Sequence, residues 1–186
     1  MGIPSAINIS RCAFIKNQYR HTLYTWETPK KQLHAGWIEM IERFDSVLPL
    51  ELFGHLTFED TVHPEQADRR FNRWWREVNK KAFGRKYREH GTGAYCFRAS
   101  EYQKRGVLHY HFLAGGGVRK LRRLTFMDIW ASENGFARIY PYDTKRGAIR
   151  YTTKYAVKGG EIEIFYSPDV RDRLRGGPVQ IPLLFL

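Results

Sequence analysis

Two apolar runs, Tyr95–Ala99 and Val107–Leu113, stand on either side of a short polar connection containing Lys104, Arg105 and Gly106. So short a connection returns the second run alongside the first, and the pair reads as a hairpin with an antiparallel sheet around it. A strand and a helix flank this hairpin on each side. Upstream, Leu52–Phe58 reads as a strand, and Pro64 opens a helix that runs to about Phe83, with Gly84 as its stop. The apolar positions of that helix are Ala67, Phe71, Trp74, Val78 and Ala82. Downstream, Thr125-Phe126-Met127-Asp128 matches a capping box, its helix ends at Asn134-Gly135, and Phe136–Tyr142 is a short strand. Strand, helix, strand, strand, helix, strand is the ferredoxin-like split pattern. The predicted fold is α+β: a βαββαβ core whose antiparallel sheet carries helices on one face. A further helix, from Asp143 to about Lys158 and stopped by Gly159-Gly160, is added to that core and bears two tyrosines. Glu161–Tyr166 alternates and adds an edge strand.

Residues 1–27 show no clear pattern, whereas Thr28-Pro29 begins a helix striped by Leu33, Trp37, Met40, Ile41 and Phe44. The chain divides into an N-terminal extension with this helix (1–50), a central domain (51–168) and a C-terminal tail (169–186), all expected to form one globular unit. Apolar residues at 42% and aromatics at 15% exclude a disordered chain. Lys and Arg number 31 against 19 acidic residues, a net charge of +12, which points to a polyanionic partner. Nucleic acid fits better than an anionic membrane, because no basic amphipathic helix stands alone. The helix from Pro64 concentrates Arg69, Arg70, Arg73, Arg76, Lys80 and Lys81. That set is either a solvated face or a DNA-backbone surface, and the sequence leaves both open. Cys12 and Cys96 belong to no Cys-x-x-Cys pair, so neither a disulfide framework nor a zinc finger is expected. No run approaches the ~20 apolar residues of a membrane span. The N-terminus reads neither as a secretory signal nor, with Ala6 in the sixth position, as a myristoylation site. A reducing cytoplasm is the expected location. No phosphate-binding Gly-x-x-x-x-Gly-Lys-Ser/Thr loop is present in the sequence, so an ATP-driven helicase would be a separate protein.

Chemistry concentrates at His109-Tyr110-His111. Side chains two apart on a strand share a face, so His109 and His111 point together while Leu108, Tyr110 and Phe112 pack on the other side. Two neutral imidazoles are half of a divalent metal site, and Glu101 on the neighbouring strand supplies an oxygen. Gly115-Gly116-Gly117 is expected to leave room at the sheet edge. The mixed nitrogen and oxygen set suits Mg²⁺ or Mn²⁺ with open positions for a phosphate oxygen. Tyr151 and Tyr155 are four apart, one above the other on a helix, roughly 6 Å between β-carbons. A tyrosine with a pKa of about 10 is a poor nucleophile unless a cation compensates, and Lys154 is placed to do so. Lys145, Arg146, Arg150, Lys154 and Lys158 crowd the same helix and argue for a working surface rather than a buried one.

Three segments together resemble the signature motifs of HUH endonucleases of the rolling-circle replication initiator type. They are Gly54-His55-Leu56-Thr57-Phe58, then Glu101 with the run from Lys104 to His111, then Tyr151-Thr152-Thr153-Lys154-Tyr155 in the two-tyrosine form. The likeness spans roughly residues 52 to 160. It implies that the central domain is a nicking domain that cuts single-stranded origin DNA. Tyr151 is the implied primary nucleophile and forms a 5′-phosphotyrosine, with Tyr155 as a second nucleophile beside Lys154. The implied metal ligands are Glu101, His109 and His111. Thr57, Lys104, Arg105 and Arg150 are candidate DNA contacts. The implied setting is a plasmid or virus in a prokaryotic cytoplasm, with host helicase and polymerase as partners. A transposase of the same chemistry, or a DNA-binding module without catalysis, are the alternatives.

Overall fold

The computed structural model describes residues 7–8, 29–158 and 160–176, so the extreme N-terminus, Cys12, Thr28, Gly159 and the tail beyond residue 176 lie outside the described residues. A two-residue strand β1 (Ile7–Asn8) is followed by α1 (Pro29–Val47), β2 (Leu50–Phe58), α2 (Pro64–Phe83), β3 (Tyr95–Tyr102) and β4 (Leu108–Gly115). Then come α3 (Arg123–Ala131), β5 (Gly135–Pro141), α4 (Ala148–Thr153), β6 (Ile162–Phe165) and α5 (Pro168–Gly176). The strands form one sheet in the order β1-β6-β3-β4-β2-β5, with every pairing antiparallel. Within it, β3-β4-β2-β5 is the split βαββαβ arrangement expected from the sequence. Gly106 turns the central hairpin with φ 76°, and Gln103 N–H donates to the Val107 carbonyl at 2.9 Å to start the ladder.

One face of the sheet is dry and aromatic. Leu56 and Phe58 of β2 and Tyr110 and Phe112 of β4 are buried against Phe71 and Trp74 of α2 and Phe126 and Trp130 of α3. Both indoles satisfy their N–H groups: Trp74 donates to the Phe126 carbonyl at 3.0 Å and Trp130 to the Thr57 carbonyl at 3.1 Å. Gly54 is required here, since a Cβ would lie 2.4 Å from the Phe112 ring. Arg98 brings a buried cation to this face. It lies 4% exposed, ion-paired to Asp68 at 2.7 Å and to Glu163, with its guanidinium 4.3 Å from the Tyr110 ring.

The two helices of the βαββαβ core, α2 and α3, share one face as expected, and the opposite face is covered by helices added to that core. Trp37, Ile41 and Phe44 of α1, Ile149 of α4 and Leu174 of α5 are buried with Phe97, Leu113 and Ile164 of the sheet. α1 uses Ile38 for this contact and leaves Leu33 40% exposed, because its buried stripe begins a turn later than the periodicity suggested. The capping box is also displaced. α3 starts at Arg123, and Thr125 already bonds back to the Arg122 carbonyl at 3.0 Å, inside the first turn. The tyrosine-bearing helix is broken rather than continuous. Asp143 caps a 3-10 turn at Thr144–Arg146, Gly147 takes a left-handed φ of 62°, and α4 tightens into a second 3-10 turn at Lys154–Val157. The glycine run makes no space at the histidines. A Cβ on Gly115 would lie 2.4 Å from the Pro49 carbonyl, and Glu51 accepts N–H bonds from Gly117, Val118 and Arg119 at 3.0, 2.6 and 2.8 Å. That filled corner is at the far end of β4, about 13 Å of strand from His111.

Candidate metal centre

Strand register assembles the centre. In β4, between β2 and β3, His111 stands opposite His55 and His109 opposite both Thr57 and Glu101. Residues opposite one another across an antiparallel pair share a face. His55, His109 and His111 therefore converge, and one ligand nitrogen from each lies within 4.8 Å of the others. The expected pair of β4 histidines is brought together as the alternation required. His55 was missed as a ligand, although it stands two residues from Thr57 in a segment already singled out. What placed it was the β2–β4 register, which pairs residues 52 to 65 apart in sequence and cannot be read from local pattern.

All three imidazoles are held neutral. Burial pushes His109 down to about 4 and His111 down to about 2, each helped by its neighbouring histidines. Burial lowers His55 as well, with the Lys154 ammonium adding to it. Neutral rings keep a lone pair for a cation. His111 Nε2 donates to Glu101 Oε1 at 2.9 Å, which fixes the tautomer and leaves Nδ1 as a bare acceptor. That Nδ1 is buried and has no hydrogen-bond partner. His109 Nδ1 is 2.6 Å from the Thr57 hydroxyl, which holds its ring orientation. An unpartnered buried ring nitrogen, three neutral imidazoles and their hydrogen-bonded supports fit a divalent cation.

Glu101, expected as a ligand, is found hydrogen-bonded to His111 and to the Tyr155 hydroxyl, and burial raises its carboxyl above the ordinary range. Tyr155 is 4% exposed and stacks on His111, with ring centroids 4.0 Å apart and planes within 7°. Burial and its bonds to Tyr151 and Glu101 push the Tyr155 phenol up. Tyr151 is different. It is 38% exposed, and its ring stands edge-on 5.2 Å from His111 and 5.8 Å from His55. Lys154 Nζ lies 3.6 Å from the centre of the Tyr151 ring and 4.7 Å from that of Tyr155. An open cleft beside the centre is lined by Phe53, His55, Tyr140, Arg146 and Tyr151. Of the candidate DNA contacts, Lys104 and Arg150 are exposed, while Thr57 is engaged by His109. Arg105 Nη2 donates to the Phe58 carbonyl at 3.2 Å, and its charge helps keep His109 neutral.

Sheet and centre together define a protein of the Rep-like class. The chain belongs to the replication-associated protein ORF2/G2P family, whose family model matches residues 51–160, more than half of the sequence. The matched stretch contains every histidine, carboxylate and tyrosine of the centre. Membership ties the chain to DNA replication and to binding DNA in that process. No curated protein and no solved structure gives a significant match. Among the described residues, no helix is long and apolar enough to cross a membrane.

Proposed function

We propose that this chain nicks and rejoins single-stranded origin DNA to start rolling-circle replication of a plasmid or virus. The observation that carries the reading is the contrast between Tyr151 and its surroundings. It is an exposed phenol on a buried, neutral histidine cluster, with an ammonium 3.6 Å from its ring. His55, His109 and His111 would hold a divalent cation with Glu101 behind His111, and the cation would supply Lewis acidity to a phosphate oxygen. A set with three imidazoles favours Mn²⁺ over Mg²⁺, since Mg²⁺ prefers oxygen ligands.

In this reading Tyr151 Oη attacks the scissile phosphorus. The new O–P bond forms as the P–O3′ bond breaks, and the electron pair leaves on O3′, which takes a proton to become a free 3′-OH. The phenolic proton passes through the Tyr155 hydroxyl to the Glu101 carboxylate, Tyr155 being hydrogen-bonded to both Tyr151 and Glu101, and the proton taken by O3′ comes from solvent water. Lys154 offsets the charge that develops during transfer. The phosphotyrosine ester conserves the bond, so attack by a 3′-OH reseals the strand without ATP. The free 3′-OH primes a host polymerase, and a host helicase opens the duplex ahead of it. For Tyr155 to serve as a second nucleophile, its ring would have to lift off His111. Its hydrogen bonds to Tyr151 and Glu101 support a positioning role for it in the first cleavage.

The direct test incubates the protein and Mn²⁺ with labelled single-stranded oligonucleotides from its own replicon. A protease-sensitive, slower band is expected. Shortened oligonucleotide without any protein-linked band would replace this mechanism with hydrolysis.

A further inference from the structure

We propose that the outer strand β5 is a platform for the single strand flanking the cut, with bases stacked on Phe136 and Tyr140 and phosphates held by Arg138 and Arg122. The proposal rests on the reading of the centre as a single-stranded DNA nickase and extends it to a surface the family motifs do not include. Register places the platform: Phe136 stands opposite Thr57, Arg138 opposite His55 and Tyr140 opposite Phe53. These three side chains therefore continue the histidine face outward, beyond the reach of α1, α4 and α5, which cover its other end. Burial agrees, since Ala137 and Ile139 are buried on the opposite face while Phe136 is 56% exposed and Arg138 is exposed. A large aromatic left open at the end of the catalytic face has no packing role there. Arg138 lies over it, 5.2 Å from the ring centre.

Tyr140 links this surface to the nicking centre. It lines the cleft beside Tyr151 and also the groove along the sheet edge, where Arg122, Leu124, Phe136 and Arg138 meet. Phe53 stacks against Tyr140 at 6.4 Å and 24°, and meets Tyr151 edge-on at 6.0 Å. An aromatic path thus runs from the nucleophile to the molecular edge, roughly 13 Å along β5 from Tyr140 to Phe136. Aromatic faces interleaved with cations bind single strands regardless of base.

On the basic face of α2, Arg69, Arg73 and Lys80 have carboxylate partners in Glu65, Glu133 and Glu77 at 3.9, 3.4 and 2.6 Å, while Arg70, Arg76 and Lys81 have none among the described residues. What selects β5 over that face is the open aromatic ring among its cations, since Phe71, Trp74 and Trp75 of α2 are buried. Among the described residues, Arg122 and Arg138 form no ion pair, which leaves them free for phosphates. The edge is also protected against adding a strand from another protein, because Arg123 Nη1 donates to the Ile139 carbonyl at 3.1 Å. A nucleic acid strand is the occupant that this combination fits.

The experiment titrates full-length protein against a fluorescein-labelled oligothymidylate of about 20 nucleotides, longer than the site of one binding fold. Anisotropy is read at several salt concentrations. Phe136→Ala is expected to weaken binding roughly 5- to 150-fold with an unchanged salt slope. Arg138→Ala is expected to weaken binding and lower the slope by about 0.7, one phosphate contact on a single strand. Both variants should keep the wild-type melting temperature and its rise with Mn²⁺, since both positions are exposed. Affinities within twofold of wild type overturn the platform, as does an equal loss on duplex DNA of the same length. A change of oligomeric state on gel filtration without loss of DNA affinity reassigns the patch to protein contact and overturns it too. The two readings fail separately. Wild-type cutting with unaffected variants removes the platform alone, whereas weakened variants of a wild type that forms no adduct remove the nickase alone.

Discussion

On one face of the sheet, Trp74 meets Phe71, Phe112 and Trp130 with ring centroids 5.5 to 6.0 Å apart. On the other, His55, His109 and His111 come as close, with ring centroids 4.5 to 5.6 Å apart. The histidines come from β2 and β4, and alternate residues of the same strands, Phe58, Tyr110 and Phe112, join the rings of α2 and α3 on the other face. On the aromatic face the Trp74 and Trp130 N–H groups have acceptors, while Nε and Nη1 of Arg98 are unpartnered, donors of a cation with no lone pair to offer. The histidine face leaves a buried ring nitrogen of His111 without any partner. Only the second kind of open polar atom can hold a cation. Both sides hold buried apolar cores, and the proposed chemistry falls only on the side that carries α4.

Substitutions on either side should therefore separate the two. The largest effect expected is His111→Ala, which should lower cleavage at least ~10³-fold and abolish the rise in melting temperature on adding Mn²⁺. Circular dichroism should show an unchanged fold. On the aromatic face, Phe71→Ala should cost ~3–5 kcal/mol in urea unfolding yet keep the Mn²⁺-dependent rise. Loss of that rise in folded Phe71→Ala would break the division between faces.

A smaller effect sharpens it. Thr57→Val keeps the side-chain volume and deletes the hydroxyl beside His109 Nδ1, so Mn²⁺ affinity measured by calorimetry should fall roughly 10- to 100-fold. The smallest effect is on pH. His109 is held down at about 4 and His111 at about 2, whereas in the unfolded chain both take a proton near 6.5. The unfolded state thus binds more protons as pH falls through 6.5. Chelated protein should lose roughly 1 kcal/mol per histidine between pH 7 and pH 5.5. Stability that is flat over that window would contradict the buried, neutral state of the rings.

How much of this was legible beforehand depended on range in sequence. The α2 boundaries at Pro64 and Phe83, the hairpin at Gly106 and the shared face of His109 and His111 follow from local punctuation and a period of two. The β3-β4-β2-β5 order followed from the succession of elements. His55 as a member of the cluster did not, because only the pairing of β2 with β4 reveals its neighbours. The same holds for the second helical layer: α1 and α5 cover the histidine side through contacts with no local signature. The break at Gly147 was readable in principle, since a glycine after a capped 3-10 turn can take a left-handed φ, but the basic residues around it suggested one continuous helix. The resemblance ranks Tyr151 ahead of Tyr155 by its Tyr-x-x-Lys position, and burial separates the two on independent grounds.

That distinction carries the central claim, and peptide mapping of the protein–DNA adduct tests it most directly. Wild-type protein is incubated with Mn²⁺ and single-stranded origin DNA, digested with protease and nuclease, and the nucleotide-bearing peptide is sequenced by mass spectrometry. The account predicts the label on Tyr151, and no adduct from a Tyr151→Phe protein that still binds Mn²⁺. A label on Tyr155 alone, or an adduct that persists in Tyr151→Phe, would contradict it.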